Sequence, residues 1–185
     1  KRTFLLFYGQ SCLLPTMHMK NILPILTLTT LAAAASAQVA APAAAGLNYN
    51  RVGLGYNTDT KGYSLSATAV LGSSNFWVGA SSTIGGAGTS NGADSVAIGY
   101  LFANVYAGVD ATVSVASNEV YTLGLRKALG NNFEAAASFG RNSAKNNAWS
   151  AEVAYNVSKQ IQLAVGFSDA QKTASTSDLT VRYNF

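Results

Sequence analysis

"DLTVRYNF", residues Asp178–Phe185, alternates strictly between polar and apolar side chains. Leu179, Val181, Tyr183 and Phe185 fall on one face, and the four polar residues that alternate with them fall on the other. A period of two residues is that of a β-strand, in which successive side chains point to opposite faces. The stretch therefore predicts a strand with one continuous apolar face, and the fold depends on what that face contacts.

The same alternation recurs upstream, divided by short polar breaks at 71–76, 102–105, 129–133 and 156–161. These breaks repeat about every 28 residues, which is enough for two strands and two connections. Longer polar insertions alternate with them, at 57–62, 85–94, 116–119, 141–147 and 169–177. The pattern predicts five consecutive antiparallel hairpins, hence ten strands, with tight turns at one end and longer loops at the other. The first strand is expected to begin at Asn48.

Two architectures produce such alternation, and the composition of the two faces separates them. A soluble sandwich or barrel points its apolar face inward, whereas a membrane barrel points it toward lipid. Here the apolar face carries aromatic residues near the strand ends, and the polar face consists mainly of Gly, Ala, Ser and Thr. We therefore predict a closed antiparallel up-and-down transmembrane β-barrel. An exported soluble β-barrel or sandwich that binds a ligand is the alternative.

The beginning of the sequence is typical of an export signal. From Met19 it has a cationic start at Lys20, an apolar run, and then the small-x-small pattern Ala35-Ser36-Ala37. We expect residues 1–18 to be an upstream extension, 19–37 a signal peptide, 38–46 a short linker and 47–185 the barrel.

The predicted mature chain lacks the residue types that carry much protein chemistry. Cys12 and His18, the single cysteine and histidine, both precede the predicted cleavage site. Without them we expect no disulfide, no Cys/His metal centre, no cofactor and no histidine-dependent catalysis. The charge of the mature chain is close to neutral, so a nucleic-acid partner is not expected. The sequence thus predicts a protein that is not an enzyme.

Residues Gly46–Phe185, with their alternating pattern and the closing "TVRYNF", resemble small Gram-negative outer-membrane β-barrels of the OmpA/OmpX-like kind. The resemblance implies an outer-membrane location, with membrane lipid, periplasmic chaperones and the barrel assembly machinery as partners, and a monomeric state. It also implies that the assembly machinery reads the C-terminal residues Leu179, Val181, Tyr183 and Phe185. Small members of that group usually have eight strands, which makes eight the alternative to the ten counted here.

Six charges share the inward phase of the strands: Arg51, Asp110, Arg126, Glu134, Glu152 and Arg182. Arg126 and Glu134 flank one tight turn, so they are the first pair expected to meet. Since small barrels are largely filled by side chains, we favour a charge-paired interior in a protein that contributes to envelope structure or surface interaction. A narrow porin for small solutes or ions is the alternative.

Replacing Phe185 with Ala should lower the yield of folded barrel, because the resemblance makes Phe185 part of the assembly signal. The measurement is heat-modifiable gel migration of the detergent-extracted protein. Thr180→Ser, on the polar face of the same stretch, serves as the control. Equal folded yields for both variants would show that Phe185 has no such role.

Overall fold

The computed structural model describes residues 47–86, 94–171 and 174–185. The predicted upstream extension, signal peptide and linker lie outside these ranges. The described residues form ten strands: β1 Arg51–Asn57, β2 Tyr63–Val70, β3 Phe76–Ile84, β4 Ser95–Tyr106, β5 Val109–Ala116, β6 Tyr121–Gly130, β7 Phe133–Arg141, β8 Asn147–Asn156, β9 Ile161–Ala170 and β10 Thr176–Asn184. Within the described ranges, no helix is both long enough and apolar enough to cross a membrane.

The strands close into a single antiparallel barrel. Each strand pairs with the next along the chain, and β1 pairs with β10. At this closing seam Val52 lies opposite Tyr183, and Leu54 lies opposite Val181. The predicted ten-stranded up-and-down barrel is confirmed, and the eight-stranded alternative and the sandwich are wrong.

The tight turns are built from residues that tolerate a left-handed backbone. Between β6 and β7, Gly130, Asn131 and Asn132 all have positive φ, a conformation that Gly and Asn adopt at the lowest cost. Between β4 and β5, the Asn104 side chain accepts a hydrogen bond from the Gly108 amide at 2.9 Å. The backbone N–H of Asn104 in turn donates a hydrogen bond to Asp110 Oδ1 at 2.8 Å. These short connections fix the register of neighbouring strands.

The barrel exposes its apolar face and buries its polar face, which is the reverse of a soluble protein. Many large apolar side chains point outward and are exposed, among them Leu54, Val96, Ile98, Val113, Leu123, Leu125, Val153, Leu163, Val165, Leu179 and Val181. The largest fully buried side chains of the described residues are Leu101, Gln162 and Asp110, of which two are polar. Soluble proteins rarely bury such groups in preference to Leu and Val.

Aromatic contacts occur near both ends of the barrel's outer surface. At the tight-turn end, Tyr100 contacts Phe76 and Phe102, with ring centroids 5.0 and 4.8 Å apart. At the loop end, Trp149 contacts Phe167 at 5.4 Å. Further pairs are Phe133–Tyr155 at the tight-turn end and Tyr56–Tyr63 at the loop end. Membrane barrels carry such aromatic girdles at the two lipid interfaces.

The prediction for the start of the first strand is wrong. Strand β1 begins at Arg51 rather than at Asn48, because local polar groups hold the preceding residues in another path. The Asn50 side chain accepts a hydrogen bond from the Val70 amide at 2.8 Å. Thr68 Oγ1 donates to the Tyr49 carbonyl at 2.7 Å. We call residues 47–50 the plug segment.

An arginine on the outer face should destabilise the barrel according to its depth. Leu125 lies mid-strand and Leu129 near the tight-turn end of β6, and both are exposed. We expect Leu125→Arg to lower the free energy of unfolding by about 2–4 kcal/mol and Leu129→Arg by about 0–1 kcal/mol. Urea unfolding of protein refolded into lipid vesicles measures both. Equal effects at the two positions would contradict a lipid-facing surface.

Candidate functional site

The lumen contains all six charges that the sequence singled out. In the strand register Asp110 lies opposite Arg126, and Arg182 lies opposite Gln162. A seventh charge, Asp178, shares the inward phase opposite Gly166 and was missed. The sequence could have identified Asp178 as inward-facing, because it lies on the same face of the predicted strand as Arg182. A Cβ on Gly166 would lie only 2.6 Å from the Asp178 carboxylate, so this glycine leaves the space that the carboxylate occupies.

Arg126 and Glu134 form a buried ion pair. Arg126 Nη2 lies 2.5 Å and Nε 3.1 Å from Glu134 Oε2, and their side chains are 8% and 5% exposed. Asn156 Nδ2 donates to Glu134 Oε1 at 2.8 Å. Arg126 Nη1 donates to the Asn48 carbonyl at 2.6 Å. These additional hydrogen bonds matter because a buried ion pair offsets its desolvation only when its remaining polar atoms are satisfied.

Arg182 and Glu152 form a second, bidentate ion pair. Arg182 Nη1 donates to Glu152 Oε1 at 2.6 Å, and Nη2 contacts Oε2. Arg182 Nη1 also donates to Gln162 Oε1 at 3.0 Å. Gln162 Nε2 then donates to Asn156 Oδ1 at 2.8 Å. Since Asn156 also binds Glu134, the two ion pairs belong to one hydrogen-bonded network.

Asp110 binds the plug segment. Its carboxylate is fully buried and accepts from the Tyr49 hydroxyl at 2.9 Å and from the Asn104 amide at 2.8 Å. The Arg126 guanidinium lies over the Tyr49 ring, 4.9 Å from its centroid. Burial raises the pKa of the Tyr49 phenol, so the hydroxyl remains a proton donor to Asp110 over the physiological pH range.

The plug segment itself occupies the tight-turn end of the lumen. Leu47 and Asn50 are each 5% exposed, and the Asn50 carbonyl accepts from the Phe185 amide at 3.1 Å. Sequence reasoning missed this segment, because "LNYN" (Leu47–Asn50) has no distinctive pattern and borders the first strand.

Two cavities lie on opposite sides of the Arg126–Glu134 pair. One of about 220 Å³ is lined by Arg51, Trp77 and Arg126 together with hydroxyl-bearing residues. Another of about 420 Å³ is lined by Asn48, Glu134 and other polar residues of the tight-turn end. Because each partner of the ion pair lines a different cavity, the pair separates them.

The loop-side half of the lumen differs from the charged half. Its inward positions are mainly small residues, including Gly55, Ser66, Ser81, Ser95, Ser114, Thr122, Ser138, Ser150, Ser168 and Thr176. Neighbouring hydroxyls bond one another across strands, as in Ser138–Ser150 at 2.7 Å and Ser168–Thr176 at 2.8 Å. The loop-side half of the lumen is therefore lined mainly by small uncharged side chains, whereas the tight-turn half contains the charged network.

The proposed assembly residues lie at the closing seam. Leu179, Val181 and Tyr183 are exposed on the outer face of β10. Phe185 follows β10, and its carbonyl accepts from Asn48 Nδ2 at 3.5 Å. Their role in assembly stays a prediction.

No metal or acid–base centre emerges from the described residues. Within the described ranges no group of three or more His, Cys, Asp and Glu side chains is placed to hold a metal ion. The lumen carboxylates Asp110, Glu134 and Glu152 all accept hydrogen bonds from neighbouring donors. The arrangement binds and neutralises charge inside the barrel.

An apolar exterior with aromatic girdles surrounds this polar interior. Only helices and closed barrels satisfy every backbone polar group within lipid, and the closed sheet meets that requirement. The barrel therefore has the two faces of a membrane-spanning β-barrel. This surface agrees with the location predicted from the sequence.

The chain is similar, at low sequence identity, to solved structures of a porin and of an outer membrane protein. No family model matches the chain, and no curated protein matches it. A KdgM porin structure is 12% identical, with a TM-score of 0.48, over 73% of this chain and 99% of the porin. A KdgM porin in complex with disordered oligogalacturonate is 9% identical, with a TM-score of 0.46 over the same shares. Acinetobacter baumannii outer membrane protein Omp33 is 22% identical, with a TM-score of 0.38, over 67% of this chain and 57% of Omp33.

Removing one member of the Arg126–Glu134 ion pair should lower the free energy of unfolding, because the other charge is left buried and unpaired. Glu134→Gln leaves Arg126 buried without a counter-charge, and we expect a loss of about 3–5 kcal/mol in the free energy of unfolding. Urea unfolding in lipid vesicles is the measurement, with the exposed loop residue change Glu119→Gln as the control.

The double variant Glu134→Gln with Arg126→Met completes the comparison. It should recover part of the loss, since it removes both charges. A double variant no more stable than Glu134→Gln alone would mean that the pair is not coupled in this way.

Proposed function

We propose that this chain is a small outer-membrane barrel protein whose lumen is closed at the tight-turn end, and that it contributes to envelope structure or surface interaction. The observation that carries the proposal is the plug segment. Tyr49 binds Asp110, and the Asn48 carbonyl binds Arg126. A water path through the lumen would have to pass this contact.

The closure is supported by how the plug segment is held. It is joined to β2, β5, β6 and the end of β10 through Thr68, Asp110, Arg126 and Phe185. Hydrogen bonds to charged groups contribute about 1.5–3 kcal/mol each, so spontaneous displacement of the segment should be infrequent.

A narrow porin is the second candidate, and the cavities favour it. The cavities of about 220 and 420 Å³ lie on either side of the Arg126–Glu134 pair. The loop-side half is lined by small residues. Displacement of the plug segment and one arginine would join these spaces into a path for small solutes or ions.

A non-enzymatic role is part of the proposal. Residues 47–185 contain neither Cys nor His, and the lumen carboxylates Asp110, Glu134 and Glu152 are engaged by Tyr49, Arg126 and Arg182. The partners we propose are membrane lipid, periplasmic chaperones and the assembly machinery, with the barrel acting as a monomer.

Planar bilayer conductance distinguishes the two candidates. We expect purified wild-type protein to give no reproducible discrete conductance steps. Tyr49→Ala should introduce them, because it removes both the bond to Asp110 and the ring beneath Arg126. Tyr106→Ala, at an 80% exposed tyrosine of the tight-turn end, is the matched control and should remain silent.

The opposite results are equally informative. Discrete, reproducible steps from the wild-type protein would overturn closure and favour the narrow porin. Silence of Tyr49→Ala, with folding verified by heat-modifiable migration, would show that the plug segment does not control the lumen.

A further inference from the structure

Among the described lumen arginines, Arg51 forms no salt bridge, whereas Arg126 and Arg182 each pair with a glutamate. Its Nη1 atom is buried without a hydrogen-bond partner. Its charged neighbours include Glu134 and Glu152, but these carboxylates already form the salt bridges with Arg126 and Arg182.

Asp110, the remaining carboxylate of the charged half of the lumen, does not pair with Arg51 either. It accepts hydrogen bonds from Tyr49 and the Asn104 amide instead. The space beside Arg51 therefore holds a cation with a buried, unpaired Nη1 atom, and the nearby carboxylates of Glu134 and Glu152 already form salt bridges with other arginines. Such a group favours an added anion, because a buried charge is stable only when it is paired.

Trp77 supplies a second donor in the same place. Its Nε1 atom is also buried without a partner, and both Trp77 and Arg51 line the cavity of about 220 Å³. A Cβ on Gly99 would lie 2.5 Å from the indole nitrogen, and one on Gly79 would lie 3.0 Å from the ring. These two glycines make room for the indole against the wall.

The unmatched groups define the chemistry of a ligand. Two N–H donors need acceptor oxygens, and the guanidinium favours a planar carboxylate. Glu152 lines the same cavity, so a second negative charge on the ligand would be repelled. The cavity volume restricts the ligand to a small molecule, and the lining hydroxyls of Thr68 and Ser150 accommodate polar substituents.

We propose that Arg51 and Trp77 form a lumenal binding site for a small monocarboxylate. The site lies on the loop side of the Arg126–Glu134 pair. It is reached through the half of the lumen that is lined by small residues. It goes beyond the proposed function and holds whether or not the lumen conducts, since binding requires access from one side only.

Tryptophan fluorescence tests the site directly. The chain has two tryptophans, and Trp149 faces outward beside Phe167. In a Trp149→Phe background, Trp77 is the single fluorophore and lies in the cavity. Titration with sodium acetate should change its emission saturably. Acetamide, which has nearly the same shape and no charge, should have no saturable effect.

Arg51→Gln in the same background should weaken acetate binding by about tenfold or more, the factor expected for losing a charged hydrogen-bond partner. Arg141→Gln, at an exposed arginine outside the lumen, is the matched control and should bind acetate normally. Heat-modifiable migration verifies folding of each variant. If Arg51→Gln does not fold, Arg51→Lys replaces it, and weaker binding is again expected because Lys lacks the planar fork.

Three outcomes overturn the site. If acetamide gives the same response as acetate, the response is not carboxylate binding at Arg51. The same conclusion follows if the Arg51 variants respond to acetate as strongly as the Trp149→Phe protein. The absence of any saturable response in the Trp149→Phe protein shows that water alone satisfies both donors. None of these results bears on the bilayer conductance, so the site and the proposed function are tested separately.

Discussion

In lipid, a backbone amide or carbonyl without a partner costs several kcal/mol, so a sheet can cross the membrane only if it has no open edge. Here the hydrogen bonds between β1 and β10 remove that edge. Once the sheet is closed, the two sides of every strand have fixed and opposite environments. The apolar exterior, the polar lumen and the position of every charge depend on this one pairing.

Because the barrel is closed, its exterior is apolar and its interior is polar, which is the reverse of a soluble domain. The lipid-facing side chains need only be apolar, whereas the interior must satisfy buried polar groups individually. The network through Glu134, Asn156, Gln162 and Arg182 does this by hydrogen bonding each member to the next. The specificity of the fold therefore lies in a polar core, and packing of large apolar side chains contributes less than in soluble domains.

The sequence predicts the strands well, because alternation and turn residues are local properties. The paired positions of Arg126 and Glu134 also follow from a single tight turn. The plug segment could not be predicted, since the contacts of Tyr49 with Asp110 and of Asn48 with Arg126 join residues that are distant in sequence. The absence of a salt bridge at Arg51 could not be predicted for the same reason. It depends on which arginine each carboxylate contacts across the lumen.

The plug segment also has a consequence for folding kinetics. Tyr49 bonds to a residue 61 positions later, and Asn48 bonds to one 78 positions later. Contacts of such high sequence separation form late, after the intervening hairpins have brought their ends together. The lumen should therefore stay hydrated while the hairpins assemble, and the burial of Tyr49 should mark the final stage of folding rather than its beginning.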